Sequence, residues 1–267
     1  MHILAIISLL FIVNMSLFAH VDSKHKINDL NHKISHHPKN IKYLLQRAEK
    51  YQAIGNWTKA LIDYKYIKHL NPQYKNIAYL LGLTYYRDGQ LRLAKIELEK
   101  FLKTSPKHTD ALIIQARILH DIKQCQASYD NYTKAILTSI DTPALYIERA
   151  KSIMDCNSSL LPKAIKDLSA GMDRVGHLII LEDVMIDLRL YNKDYKEALK
   201  SIDNVLSKVK RKEKWLVKRA KILQLLGSDK RASITYEQAI YEIKRLPAHI
   251  QNTLAMKQLL AEIKNDM

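Results

Sequence analysis

The 267 residues carry 43 Lys and Arg against 27 Asp and Glu, a formal charge of +16, and 47% of them are hydrophobic. That charge favours anionic partners, which as classes are acidic peptides, phospholipid head groups or nucleic acid. With only six glycines, the chain has no Gly-rich phosphate loop, and it has no nucleophile elbow or helix-borne HExxH either, so it reads as non-enzymatic and without a cofactor.

Residues 1–19, MHILAIISLLFIVNMSLFA, hold no charged side chain, run apolar from Ile3 to Val13 and give way at once to HVDSKHK. This reads as an export signal, although Lys or Arg is missing at the amino end and Leu17 stands where a small residue is preferred. An uncleaved membrane anchor formed by residues 1–19 is the alternative, and a buried first helix is the third reading. Export, with a periplasmic destination, makes nucleic acid the least favoured partner and leaves membrane-surface contact open. The plainest account of the charge is a Lys-rich composition with no dedicated patch.

Residues 20–40 form an amino-terminal cap, with Ile27, Leu30 and Ile34 at helical spacing before His37-Pro38. His25, His32 and His36 share one face of that helix. Such a face could hold a transition metal, but metal sites usually need a firm scaffold and a fourth ligand, so a solvated polar face is preferred and no metal is assigned.

From residue 41 the chain repeats. Arg47-Ala48, Tyr51, Gly55, Ala60 and Pro72 return 34 residues later as Leu81-Gly82, Tyr85, Gly89, Ala94 and Pro106. A fixed period of this size means stacked helical hairpins. The small residues allow close helix approach and the tyrosines fill the space between helices. The glycines end each first helix in a left-handed conformation, and the prolines stop each second helix. The repeats run 41–74, 75–108, 109–142, 143–178, 179–212 and 213–246. In the third, Lys123 replaces the turn glycine. The fourth opens on Pro143, a good first helical residue, and its turn must absorb about two extra residues. The fifth keeps Asn192-Lys193-Asp194-Tyr195 and Ala198, but its first helix matches poorly. Residues 247–267 close the stack after Pro247, with Ile250, Leu254, Leu259, Leu260 and Ile263 on one stripe. No linker rich in Gly, Ser or Pro interrupts the chain, which reads as one continuous domain.

The pattern resembles the tetratricopeptide repeat, over nearly all of residues 38–264 and most strongly in repeats one, two and six. In the run from Trp215 to Pro247 it is similar in character to exported bacterial members of that family. The resemblance implies an all-α, right-handed superhelical solenoid of about six helix pairs with terminal caps. It also implies a scaffold or peptide-binding module. One subgroup grips a terminal carboxylate with Lys, Arg and Asn on successive first helices. The matching positions here include Leu45, Glu49, Leu80 and Glu148, so that clamp is absent.

The remaining candidate site is the concave groove of the first helices. Places two, five, nine and twelve hold Lys42, Leu45, Glu49 and Gln52 in the first repeat, and Asn76, Tyr79, Leu83 and Tyr86 in the second. The third has Asp110, Ile113, Arg117 and His120, and the fourth has Ala144, Ile147, Lys151 and Met154. Tyr79, Leu83, Tyr86, Ile113 and Ile147, with Arg117 and Lys151 beside them, form a cradle for an acidic or amphipathic peptide of a protein partner. The plain alternative is packing between neighbouring first helices. Most of the 15 tyrosines fall on packing places of the repeat, which argues against a stacking surface for sugars or bases.

Two further readings belong to other classes. One is a structural subunit of an envelope assembly, held through its basic convex surface. The more distant one is a metal- or polyanion-sequestering protein. Finally, Cys125 at place 17 of repeat three and Cys156 at place 14 of repeat four would be neighbours in an antiparallel stack. An oxidising compartment would favour a bridge between them.

Overall fold

The computed structural model describes residues 23–154 and 158–267, all of it helix and short connections. The apolar run at 1–19 lies outside the described residues, and so does Cys156. Among the described residues, no helix is long and apolar enough to cross a membrane. Cys125 carries no free thiol. The chain divides into two compact units, one ending at Thr138 and the other beginning at Ser139.

In the first unit, helix α1 covers 23–36 and three hairpins follow. They are α2 (Ile41–Ala53) with α3 (Trp57–Leu70), α4 (Ile77–Arg87) with α5 (Leu91–Thr104), and α6 (Thr109–Asp121) with α7 (Cys125–Thr138). Each second helix starts at place 17 of its repeat, so the period seen in the sequence is also the period of the backbone. Gly55 and Gly89 turn at φ 73° and 76°. Lys123 takes the same turn at φ 60°, a conformation L-residues with a Cβ resist. Ala48, Ala60, Ala94 and Ala116 are fully buried. A Cβ on Gly82 would lie 2.7 Å from Leu98 Cγ, so the helix crossing needs glycine there. Buried Ile27 and half-buried Ile34 attach the cap to the core of the first two hairpins, and Leu30 of the cap is buried as well.

Polar contacts then fix the pairing. Buried Asp63 on α3 accepts two bonds from Arg47 on α2, at 2.9 and 2.6 Å, and the same guanidinium reaches Asn31 of α1 at 2.8 Å. Glu97 on α5 is held by Lys68 of α3 at 2.7 Å.

The second unit has α8 (Pro143–Met154), a 3-10 turn (Ser158–Leu160), α9 (Leu161–Val175), α10 (Ile179–Tyr191), α11 (Tyr195–Lys208), α12 (Glu213–Leu225) and α13 (Asp229–Lys244). Pro143 opens α8 as expected. Helix α9 begins two places late, which locates the two extra residues in the turn before it. The poorly matching α10 is nevertheless a full helix. Its place eight, alanine or glycine in the other repeats, is Ile186, and Glu182 is buried beside Leu181 and Val184. Lys193 repeats the left-handed turn of Lys123 at φ 62°.

The carboxy-terminal cap departs from the expected single stripe. It is split into α14 (Ala248–Gln251) and α15 (Leu254–Asp266), because the Thr253 side chain accepts from the Met256 N–H and starts a new helix. Ile263 is buried and Leu259 and Leu260 pack against the core, but Leu254 is 72% exposed and does not belong to the buried face.

Candidate functional site

Helical rotation of 100° per residue places residues two, five, nine and twelve of each first helix on one side. In the first unit, that side of α2, α4 and α6 carries Leu45, Tyr79, Leu83, Tyr86, Ile113 and Arg117. All six are half-buried. Leu45, Tyr79, Leu83 and Tyr86 pack against the core formed by the first two hairpins and the start of the third. These residues therefore pack against the core and still keep exposed surface.

The contribution differs from residue to residue. Tyr79 is anchored, its ring 5.3 Å from Phe101 and 4.8 Å from His108, with those two rings 5.0 Å apart. Each aromatic pair of this kind contributes about 0.5–1.5 kcal/mol beyond its buried area. Burial pushes the Tyr79 phenol up, and the Asp110 carboxylate adds to the shift. Tyr86, by contrast, has no comparable ring partner among the described residues, so more of its apolar surface is uncommitted. Leu83 lies one turn before it on the same side.

Two of the inner-face polar residues prove to be structural. Gln52 donates to Thr84 Oγ1 at 2.6 Å and accepts from the Tyr64 hydroxyl at 3.1 Å, joining α2, α3 and α4. The arrangement recurs in the second unit, where Gln224 accepts from the Tyr236 hydroxyl at 3.0 Å. Asn76 takes a left-handed conformation at φ 66° as the residue preceding α4. The tyrosine–glutamine bond follows from register, since both pairs stand at places 24 and 12 of their repeats.

In the second unit, α8 bears Ile147 half-buried and Lys151 exposed. The inner places of α10 and α12 mix apolar residues with the charged Asp183, Asp187, Lys214 and Lys221. Lys218 reaches Asp183 at 2.7 Å and Asp187 at 2.6 Å, and Lys221 reaches Glu262 and Asp266 of α15 at 2.5 and 3.2 Å. The charged residues of this face are tied up in their own ion pairs. In the cap helix, His25 lies 3.5 Å from Asp29, and the His32 and His36 rings meet at 4.7 Å.

No family model and no curated protein sequence matches the chain. Solved structures do. The carboxy-terminal part of a tetratricopeptide-repeat protein from Cytophaga hutchinsonii aligns with 75% of this chain and 79% of its own, at 16% identity and a TM-score of 0.61. The chain has the tetratricopeptide-repeat fold. A second such protein, from Parabacteroides merdae, covers 92% of this chain and 99% of its own, at 16% identity and a TM-score of 0.52. YrrB, described as a tetratricopeptide-repeat protein with an unusual peptide-binding site, covers 67% of this chain and 91% of its own, at 15% identity and a TM-score of 0.55. At these identities the likeness is one of fold. Within that fold, the first helices of the repeats carry the groove face described above.

Proposed function

We propose that this tetratricopeptide-repeat chain is an exported, non-enzymatic interaction scaffold that holds a peptide of a protein partner against the inner face of its first helices. The observation that carries the reading is the row of half-buried apolar side chains Leu45, Tyr79, Leu83, Tyr86 and Ile113 on α2, α4 and α6. An apolar row with exposed surface, flanked by the cation of Arg117, suits a peptide with alternating apolar and acidic character. Ile147 and Lys151 carry the same places on α8, and we propose them separately as ligand-contacting residues of the second unit. That YrrB carries a peptide-binding site on this fold supports the reading by analogy.

Tyr86 and Leu83 are the residues to test, because Tyr79 is also fixed by Phe101 and His108. The double variant Leu83→Ala, Tyr86→Ala should bind a recovered partner at least about tenfold more weakly, roughly what loss of one well-packed anchor costs. Undiminished binding by this variant, with folding intact by circular dichroism, would refute the groove. Export rests on the apolar run at 1–19, and the mass of the protein taken from its host tests it. The expected loss is about nineteen residues, a typical signal length, and a full-length cytoplasmic product would overturn the proposal.

A further inference from the structure

Away from the first-helix face, the first unit has a second concavity. A cleft of about 480 Å³ runs between α5 and α7, with α6 as its floor. Leu112, Gln115 and Leu119 of α6 and Leu102 of α5 line it. On the α6 wheel those three residues lie at least about 100° from Ile113 and Arg117, so the cleft is separate from the groove proposed above.

Gln115 is the unusual member. It is only 3% exposed, and among the described residues its Oε1 has no hydrogen-bond partner. Its Nε2 faces Glu99 Oε1 at 3.5 Å. A carboxylate there requires the amide nitrogen on its side, which fixes the oxygen as the open acceptor. Buried acceptors are nearly always paired, and this one, itself out of solvent contact in a residue that lines the cleft, would gain a donor from an occupant only with a small shift of the amide.

The charges add a second constraint. Lys95 is neutralised by Glu99 at 3.5 Å, whereas Lys103 and Lys134 are exposed and have no carboxylate partner among the described residues. α5 and α7 run in the same direction, each reversing against α6, so these two lysines stand near the same end of the cleft.

We infer that this cleft is a second binding site, for an extended peptide that is both acidic and apolar. An extended chain has main-chain N–H groups free to donate to Gln115, whereas a helix bonds its own internally. Its apolar side chains would cover Leu102, Leu112 and Leu119, and a carboxylate would meet Lys103 and Lys134. A phospholipid phosphate or a DNA backbone would satisfy the lysines but offers Gln115 no donor.

The test uses a fluorescein-labelled, end-blocked peptide of alternating leucine and glutamate, read by fluorescence anisotropy on the full chain. The wild type should bind it, and a leucine–lysine counterpart should not bind. Gln115→Leu should weaken binding about fivefold, the usual worth of one hydrogen bond, while its thermal midpoint holds or rises because an unpaired buried acceptor is gone. The surface variant Lys103→Glu, Lys134→Glu should weaken binding at least about tenfold and fold normally. Tyr86→Ala should leave binding unchanged, so this site and the groove can fail independently. Four binding results would overturn the inference. They are no binding by the wild type, equal binding by Gln115→Leu and the lysine variant, loss of binding in Tyr86→Ala alone, or equal binding of polyglutamate without leucine. Self-association abolished by the same substitutions would assign the cleft to a second copy and also overturn it.

Discussion

Lys123 and Lys193 occupy the left-handed turn position that Gly55, Gly89 and Gly227 hold elsewhere. A residue with a Cβ pays roughly 1–2 kcal/mol for that conformation, and glycine gives part of it back through its greater unfolded-state freedom. Lys123→Gly and Lys193→Gly should each therefore stabilise the chain by about 0.5–1 kcal/mol in urea unfolding. A loss of stability would mean that the lysine side chains do more than bridge the turn. The opposite sign is expected at Gly82. There a methyl group would sit 2.7 Å from Leu98 Cγ, and Gly82→Ala should cost about 1–3 kcal/mol through overpacking. All three positions could be read from the repeat register. Glu182 and Ile186 could not, because in α10 a buried acid and a large aliphatic side chain stand where the repeat leads one to expect other residues.

At the level of helix pairs, the contacts between α2 and α3 carry the most information. Arg47→Met would leave the Asp63 carboxylate buried with its main partner gone, and should destabilise the first unit by about 3 kcal/mol. It would also free Asn31 of the cap. Tyr64 on α3 gives a pH signature. Burial pushes its phenol up, and the Glu49 and Asp63 carboxylates add to this. The folded form thus prefers the neutral phenol, while the unfolded phenol ionises near pH 10, at about its ordinary value. The stabilisation is complete below about pH 10 and is lost as pH rises toward the folded value. Tyr64→Phe should flatten that alkaline loss in a plot of unfolding free energy against pH. An unchanged slope would show that Tyr64 is not its source. In the carboxy-terminal cap the hydrophobic period and the helix boundaries disagree. The stripe from Ile250 to Ile263 looked continuous, yet Thr253 caps a new helix and leaves Leu254 exposed. A local side-chain bond decided this boundary against the hydrophobic period.

For the whole molecule, the period of 34 residues was enough to foresee stacked hairpins, since every repeat place has a packing reason. The groove was only half legible. Spacing indicated which side chains share a face and matched Gln52 to Tyr64, but not that Gln52 would also be consumed by Thr84. Nor did it show that Tyr79 would be fixed by two other rings. The α5–α7 cleft was not legible at all, because Gln115 has no sequence signal apart from its burial. We propose in addition that Cys125 is bridged to Cys156. The loop of 31 residues between them would contribute about 3–4 kcal/mol in the chain-entropy model. Thiol labelling of the unfolded, unreduced protein should find no reactive cysteine in a monomer, and two reactive thiols would exclude the bridge.

The central claim is that the first-helix face holds a partner. It is tested most directly by placing a photo-crosslinking phenylalanine analogue at Tyr86 in the native host, identifying what is captured, and measuring that protein's affinity for the purified chain. A micromolar complex is expected, about −8 kcal/mol, weakened at least about tenfold in the Leu83→Ala, Tyr86→Ala variant and unchanged in Gln115→Leu. A captured protein that binds the double variant as tightly as the wild type would contradict it.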